Sequence, residues 1–149
     1  MGSILTTFLL IGLVGCGGDD DDGMSPEIDD LIGTWIGTSL LWTEVGGAAT
    51  FDAIAAGDEL TFVVRNDFTY TVTQVDPGPP SQVTFTEDGI FAVNGSVLTL
   101  TPDGEDPVAY EIVTLTSTAL TLFLADDEYD FNDDDNDTPA TLTIVFVKQ

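Results

Sequence analysis

The sequence predicts an all-β domain, an eight-stranded antiparallel up-and-down barrel, on three observations. From Leu31 onward apolar and polar residues alternate with a period of two, the pattern of a strand with one face in a core. Gly, Pro, Asn and Asp interrupt that alternation at short intervals and mark turns. No stretch sustains helical periodicity; residues 48–57 come nearest, with room for one or two turns. An open meander leaves two unpaired edges, and closure removes them. A two-sheet β-sandwich is the alternative, for which only the connection at 44–58 is long enough to hide a Greek-key crossover.

The first strand spans about 33–44, with Trp35 and Leu41 on one face and Ile36, Leu40 and Trp42 on the other. Leu60, Phe62 and Val64 mark the second, and Phe68, Tyr70 and Val72 the third, after the turn Arg65-Asn66-Asp67. The fourth carries Val83, Phe85, Phe91 and Val93 and is interrupted by Glu87-Asp88-Gly89, which reads as a turn or bulge. Asn94-Gly95 then accepts the positive φ of a tight hairpin and leads into Leu98 and Leu100. Tyr110 and Ile112, then Leu120, Leu122 and Leu124, then Leu142, Ile144 and Phe146 complete the series. Thr fills many intervening positions, as suits a solvated strand face.

The composition narrows function by exclusion. Asp and Glu number 27 against 2 Lys and Arg, a formal charge of −25, with no His and one Cys in 149 residues. Nucleic-acid affinity comes mainly from cations that neutralise phosphates, so nucleic acid is excluded as a partner, and anionic headgroups with it. Without His the usual general base, the usual partner of a nucleophilic Ser and the commonest metal ligand are missing. The expectation is a protein that is not an enzyme, with a hydrolase the least favoured reading. Hydrophobic residues make up 43%, enough for a core, and the length is that of one domain.

Residues 2–15 carry no charge, and eight of them are Ile, Leu, Phe or Val. A bilayer span needs roughly 20 apolar residues, whereas this block has the length of a signal-peptide core. It ends in Leu13-Val14-Gly15-Cys16, which resembles the lipobox of bacterial lipoproteins. The resemblance implies cleavage before Cys16 and lipidation of that residue, although the family carries Lys or Arg near its start and Met1-Gly2-Ser3 has neither. Residues 1–15 are thus expected to be a lipoprotein signal peptide. Residues 16–27, with Asp19-Asp20-Asp21-Asp22 between glycines, read as a flexible acidic tether. Such runs resemble the surface-export signals of some Bacteroidota lipoproteins, and a plain solvated linker is the alternative. The expected address is the bacterial cell envelope, at the outer membrane or cell surface, with the membrane held through the N-terminal lipid.

Leu31-Ile32-Gly33-Thr34-Trp35 opens the first strand, and Gly-x-Trp in that place, ahead of a meander of this length, resembles the lipocalin-like domains of bacterial lipoproteins. The similarity covers residues 28–149. It implies that Trp35 closes one end of the barrel and that a basic residue of the last strand, here Lys148, packs across it, making Gly33, Trp35 and Lys148 a structural motif. It also implies a non-catalytic binding module for one small apolar ligand. At interior parity Phe62, Tyr70, Phe91 and Phe146 are the candidate lining; a barrel filled by those side chains, meeting a protein partner from outside, is the alternative.

Residues 126–137 hold eight Asp or Glu. Asp133, Asp135 and Asp137 have the alternate spacing of a calcium loop, but Thr138 stands where the turn Gly belongs and Ile144 where the closing Glu belongs. The expectation is a solvated hairpin and no cofactor, with calcium the weaker alternative. Glu111 is expected to face solvent, opposite Tyr110 and Ile112, and Arg65 to pair with Asp67 or a neighbour.

Overall fold

The computed structural model describes residues 28–78, 82–132 and 135–149. The leader, Cys16 and the tether lie outside the described residues. The chain runs α1 (Ile28–Leu31), β1 (Gly33–Glu44), β2 (Thr50–Asp52), α2 (Ala53–Ala56), β3 (Glu59–Val64), β4 (Thr69–Asp76), β5 (Val83–Asn94), β6 (Val97–Pro102), β7 (Val108–Leu115), β8 (Ala119–Tyr129) and β9 (Thr138–Lys148). β1 and β3 to β9 pair antiparallel with their neighbours, and β1 pairs with β9 from Trp35↔Lys148 to Glu44↔Ala140. That last pairing closes an eight-stranded barrel and excludes the sandwich.

The strand not expected, β2, lies against Leu41–Thr43, on the edge of β1 whose first residues pair with β3. The same connection contains the single helical turn of α2. Asp52 caps that turn by accepting from the amides of Ile54 and Ala55 at 3.0 and 3.2 Å.

Strict alternation holds in β3, β6 and β9, whose inward residues are buried. In β1 it does not. The register with β9 shifts between Gly37 and Ser39, and the extra residue, Thr38, is exposed. This bulge turns both Trp35 and Leu40 inward, although their parity puts them on opposite faces of a regular strand. A second bulge in β8, between Leu124 and Asp127, aims Asp127 toward β1.

The expected interruption at Glu87-Asp88-Gly89 is absent. β5 runs unbroken because β4 supplies a ladder partner for every residue of Val83–Ile90, including Val72↔Glu87 and Tyr70↔Gly89. Two smaller differences lie at turns. The β5–β6 turn falls on Gly95-Ser96, with Gly95 at φ +57°, and Phe68 sits in the β3–β4 turn at φ +65°, half exposed.

Antiparallel order sends all tight turns, 65–68, 95–96 and 116–118, to one end of the barrel and the longer connections to the other. The first is called the closed end here, the second the open end. The core cluster extends along the barrel from Leu31 and Trp35, both fully buried, through Phe62, Tyr70, Leu98 and Leu120. Each fully buried Leu or Phe contributes ~1.5–3 kcal/mol from apolar surface removed from water.

Candidate ligand cavity

The closed end is built around Trp35. Its Nε1 donates to the carbonyl of Leu31 at 2.7 Å, which ties α1 across the barrel floor. Lys148 Nζ lies 5.0 Å from the centre of the indole and donates to the carbonyl of Asp30 at 2.8 Å. Gly33, at φ +144°, makes room for that side chain: a Cβ there would stand 2.5 Å from Lys148 Cε. Above this floor Tyr70 and Phe146 flank Phe62 with ring centres 6.0 and 5.7 Å from it, and no space remains between them for a ligand.

The upper half is not filled. A cavity of about 170 Å³ lies between Leu40, Trp42, Leu60, Phe62, Val72 and Gln74 on one side and Glu87, Leu100, Tyr110, Leu122, Leu142, Ile144 and Phe146 on the other. Of the four aromatic residues expected to line it, Phe62 and Phe146 do, as its base. Tyr70 and Phe91 do not. Tyr70 is fully buried below, and Phe91 packs against Phe68 at 5.7 Å, on the filled side of the barrel. Parity places a side chain inside a barrel without setting its height along the axis, so equal parity did not mean equal place.

The polar residues of the cavity were not expected from the sequence. Tyr70 Oη donates to Glu87 Oε1 at 2.6 Å, so a carboxylate on the inward face of β5 is held from below. Burial first, and then the Glu87 carboxylate that accepts its proton, push the Tyr70 hydroxyl far above the usual phenol range. Burial, with the charges of Glu87 and Asp127, pushes Tyr110 up to about 12, so both phenols remain donors at neutral pH. Gln74 Nε2 donates to Asp58 Oδ2 at 2.7 Å and fastens β4 to the start of β3. The parity of Glu87 with Phe91 carried the signal, but an acidic dipeptide before Gly has the composition of a turn.

An aromatic stack forms part of the rim. Trp42 lies on Tyr129 with centres 4.8 Å apart, Tyr129 on Phe51 at 5.2 Å, and Phe131 meets Tyr129 edge-on at 4.9 Å. Trp42 Nε1 donates to Asp127 Oδ2 at 2.9 Å, across the bulge of β8. Tyr129 and Phe131 were hidden within the acidic run, where composition pointed to solvent.

The β5–β6 ladder ends at Gly89↔Pro102 with one further bond, from the Asp103 amide to the Asp88 carbonyl at 3.0 Å, and Val83–Glu87 pairs with β4 alone. The gap beside it is a cleft of about 250 Å³ lined by Phe85, Glu87, Pro102, Asp103 and Glu105. Glu87 therefore borders both the cavity and this side opening. Another concavity, of about 550 Å³, runs along Val45, Asp126, Asp127, Glu128 and Pro139, beside the bulge of β8.

Asp133 lies outside the described residues, and Asp135 and Asp137 are exposed. Among the described residues no group of three or more Asp, Glu or Cys is placed to hold a metal ion. Glu111 is exposed. Arg65 donates to Thr71 Oγ1 at 2.9 Å, while Asp67 accepts from Thr69.

A closed eight-stranded up-and-down barrel with a Trp and a Lys at one end and a cavity open at the other defines the calycin class. The chain belongs to the lipocalin-like domain family, whose model matches residues 31–122. Among solved structures it is similar to a lipocalin-like protein from Bacteroides uniformis, with a TM-score of 0.49 and 11% identity over 80% of this chain and 99% of that one. It is also similar to the bovine lipocalin allergen Bos d 2, TM-score 0.46 and 15% identity over 81% and 74% of the two chains. A bovine odorant-binding protein, as a deswapped triple mutant, gives the same score and identity over 80% and 74%. None of the curated proteins matches the sequence.

Proposed function

We propose that this chain is a lipid-anchored protein of the bacterial cell envelope, exported to the outer membrane or cell surface, whose barrel holds one small apolar ligand and performs no catalysis. The cavity carries the reading: it opens at the mouth of the barrel between mostly apolar walls, with the rings of Phe62 and Phe146 at its base. Its volume of about 170 Å³ sets the scale of the ligand. Pockets for drug-sized molecules start near ~300 Å³, whereas an apolar cavity of ~150 Å³ suffices for a single aromatic ring. The ligand is accordingly the size of a ring with a short substituent, smaller than a retinoid or a long-chain fatty acid.

Indole and toluene are suitable probes. At concentrations well above its dissociation constant either one raises the melting temperature by several degrees, since a ligand at 100 Kd adds about 2.7 kcal/mol. Val72→Phe, which fills the cavity, removes the shift. No shift with any ring-sized probe favours the second reading, a scaffold with a packed interior that meets a partner from outside, for which the filled lower half is the supporting observation. Lipidation is tested apart from the cavity: cells fed labelled palmitate incorporate it into the wild type, and Cys16→Ser abolishes incorporation. Label retained in that variant would overturn the anchor.

A further inference from the structure

Glu87 is the one carboxylate that lines the cavity among the described residues, and it is half buried on the inward face of β5. Tyr70 satisfies Oε1, but among the described residues no donor reaches Oε2. That second oxygen is reachable from the cavity and from the side cleft, where a donor, and best a charged one, can meet it. Trp42 and Tyr110 border the same space, and aromatic faces attract cations.

The charge layout of the whole barrel points the same way. Its two cations are both at the closed end: Arg65 in the β3–β4 turn, held on Thr71, and Lys148 on Trp35. Around the open end stand Glu44, Asp58, Asp103, Glu105 and Asp127, with no Lys or Arg among them. A low-dielectric mouth lined by one sign of charge concentrates ligands of the opposite sign and repels those of its own.

We propose that the cavity takes a small cationic amphiphile, an ammonium or amidinium head on an apolar body of about one ring, with the head on Glu87 and the body on Phe62 and Phe146. The proposal rests on the cavity reading above and adds the sign of the ligand. The same site disfavours carboxylates, because a second anion beside Glu87 brings like-charge repulsion without a donor.

Three probes of one size separate the two ideas: 2-phenylethylammonium, 2-phenylethanol and phenylacetate, titrated by calorimetry at pH 7 and low salt. The ammonium binds tenfold or more tighter than the alcohol, as a charge-assisted hydrogen bond adds to burial, and phenylacetate binds more weakly than the alcohol. Glu87→Gln brings the ammonium-to-alcohol ratio to about one, and 0.5 M NaCl narrows it in the wild type. Equal affinity for ammonium and alcohol in the wild type, or a ratio that survives Glu87→Gln, overturns the cationic ligand and leaves the cavity reading standing. No binding of any of the three overturns the cavity reading itself. Should Glu87→Gln not fold, the ranking of the three probes on the wild type decides.

Discussion

Gly89 stands inside β5 where there is no room for a methyl group. A Cβ there would lie 2.3 Å from the Thr101 carbonyl oxygen and 2.9 Å from both Pro102 Cα and Tyr70 Cε1. Two of those atoms are backbone and cannot swing aside. The bare backbone lets the ring of Tyr70, its register partner, lie across the strand and bring its hydroxyl to Glu87. Gly89→Ala is expected to cost ~1–3 kcal/mol by overpacking, read as a lower urea midpoint with an unchanged slope. At the closed end, Lys148→Met keeps the apolar stem but removes the charge over Trp35 and the hydrogen bond to Asp30. The expected loss is ~1–2 kcal/mol, a drop of several degrees in melting temperature; an unchanged melting temperature would show that the cation contributes nothing to closure.

Among the elements, the β2–α2 segment depends on one carboxylate. Asp52 accepts from Ser39 Oγ at 2.7 Å and from the Leu40 amide at 3.2 Å, as well as capping α2, and so pins the long β1–β3 connection to the wall of the barrel. Burial works to raise its pKa, but the hydrogen bonds from Ser39, Leu40, Ala55 and Ile54 together prevail and hold it below 3.8. A folded pKa below the unfolded one means that the stabilisation is present in full above the unfolded value and disappears as pH falls through the folded value. Asp52→Ala is therefore expected to cost ~1 kcal/mol at pH 7. The gap between variant and wild type narrows below about pH 3.8, as denaturation midpoints measured from pH 7 to pH 2 will show. Element boundaries were largely legible, since alternation is written into each strand. The bulges at Thr38 and before Asp127 were not, because a bulge is a mismatch between two strands and neither carries it alone.

Over the whole molecule, 27 acids against 2 bases make the folded chain repel itself. Added salt shortens that repulsion to ~3 Å at 1 M, so the melting temperature rises between 10 mM and 1 M NaCl; a flat or falling curve would mean that surface repulsion has no part in stability. The same charges acquire direction only in the folded barrel. In the chain Arg65 and Lys148 lie 83 positions apart and appear unrelated. Antiparallel order brings both to the closed end and leaves the mouth to the acids.

The sequence by itself determined the all-β class and the eight strands that make the barrel, because period-two alternation and turn residues act over a few neighbours; the residues at its sealed end came from the family resemblance of Gly33-Thr34-Trp35. Only the tertiary structure decided how high each inward side chain stands, that the lower half is filled and the upper half hollow, and that Glu87 faces the hollow part. Those features depend on stagger around a closed sheet, a property of the eight strands together: residues of equal parity, such as Phe62 and Phe91, end at different heights once the ring of strands has closed.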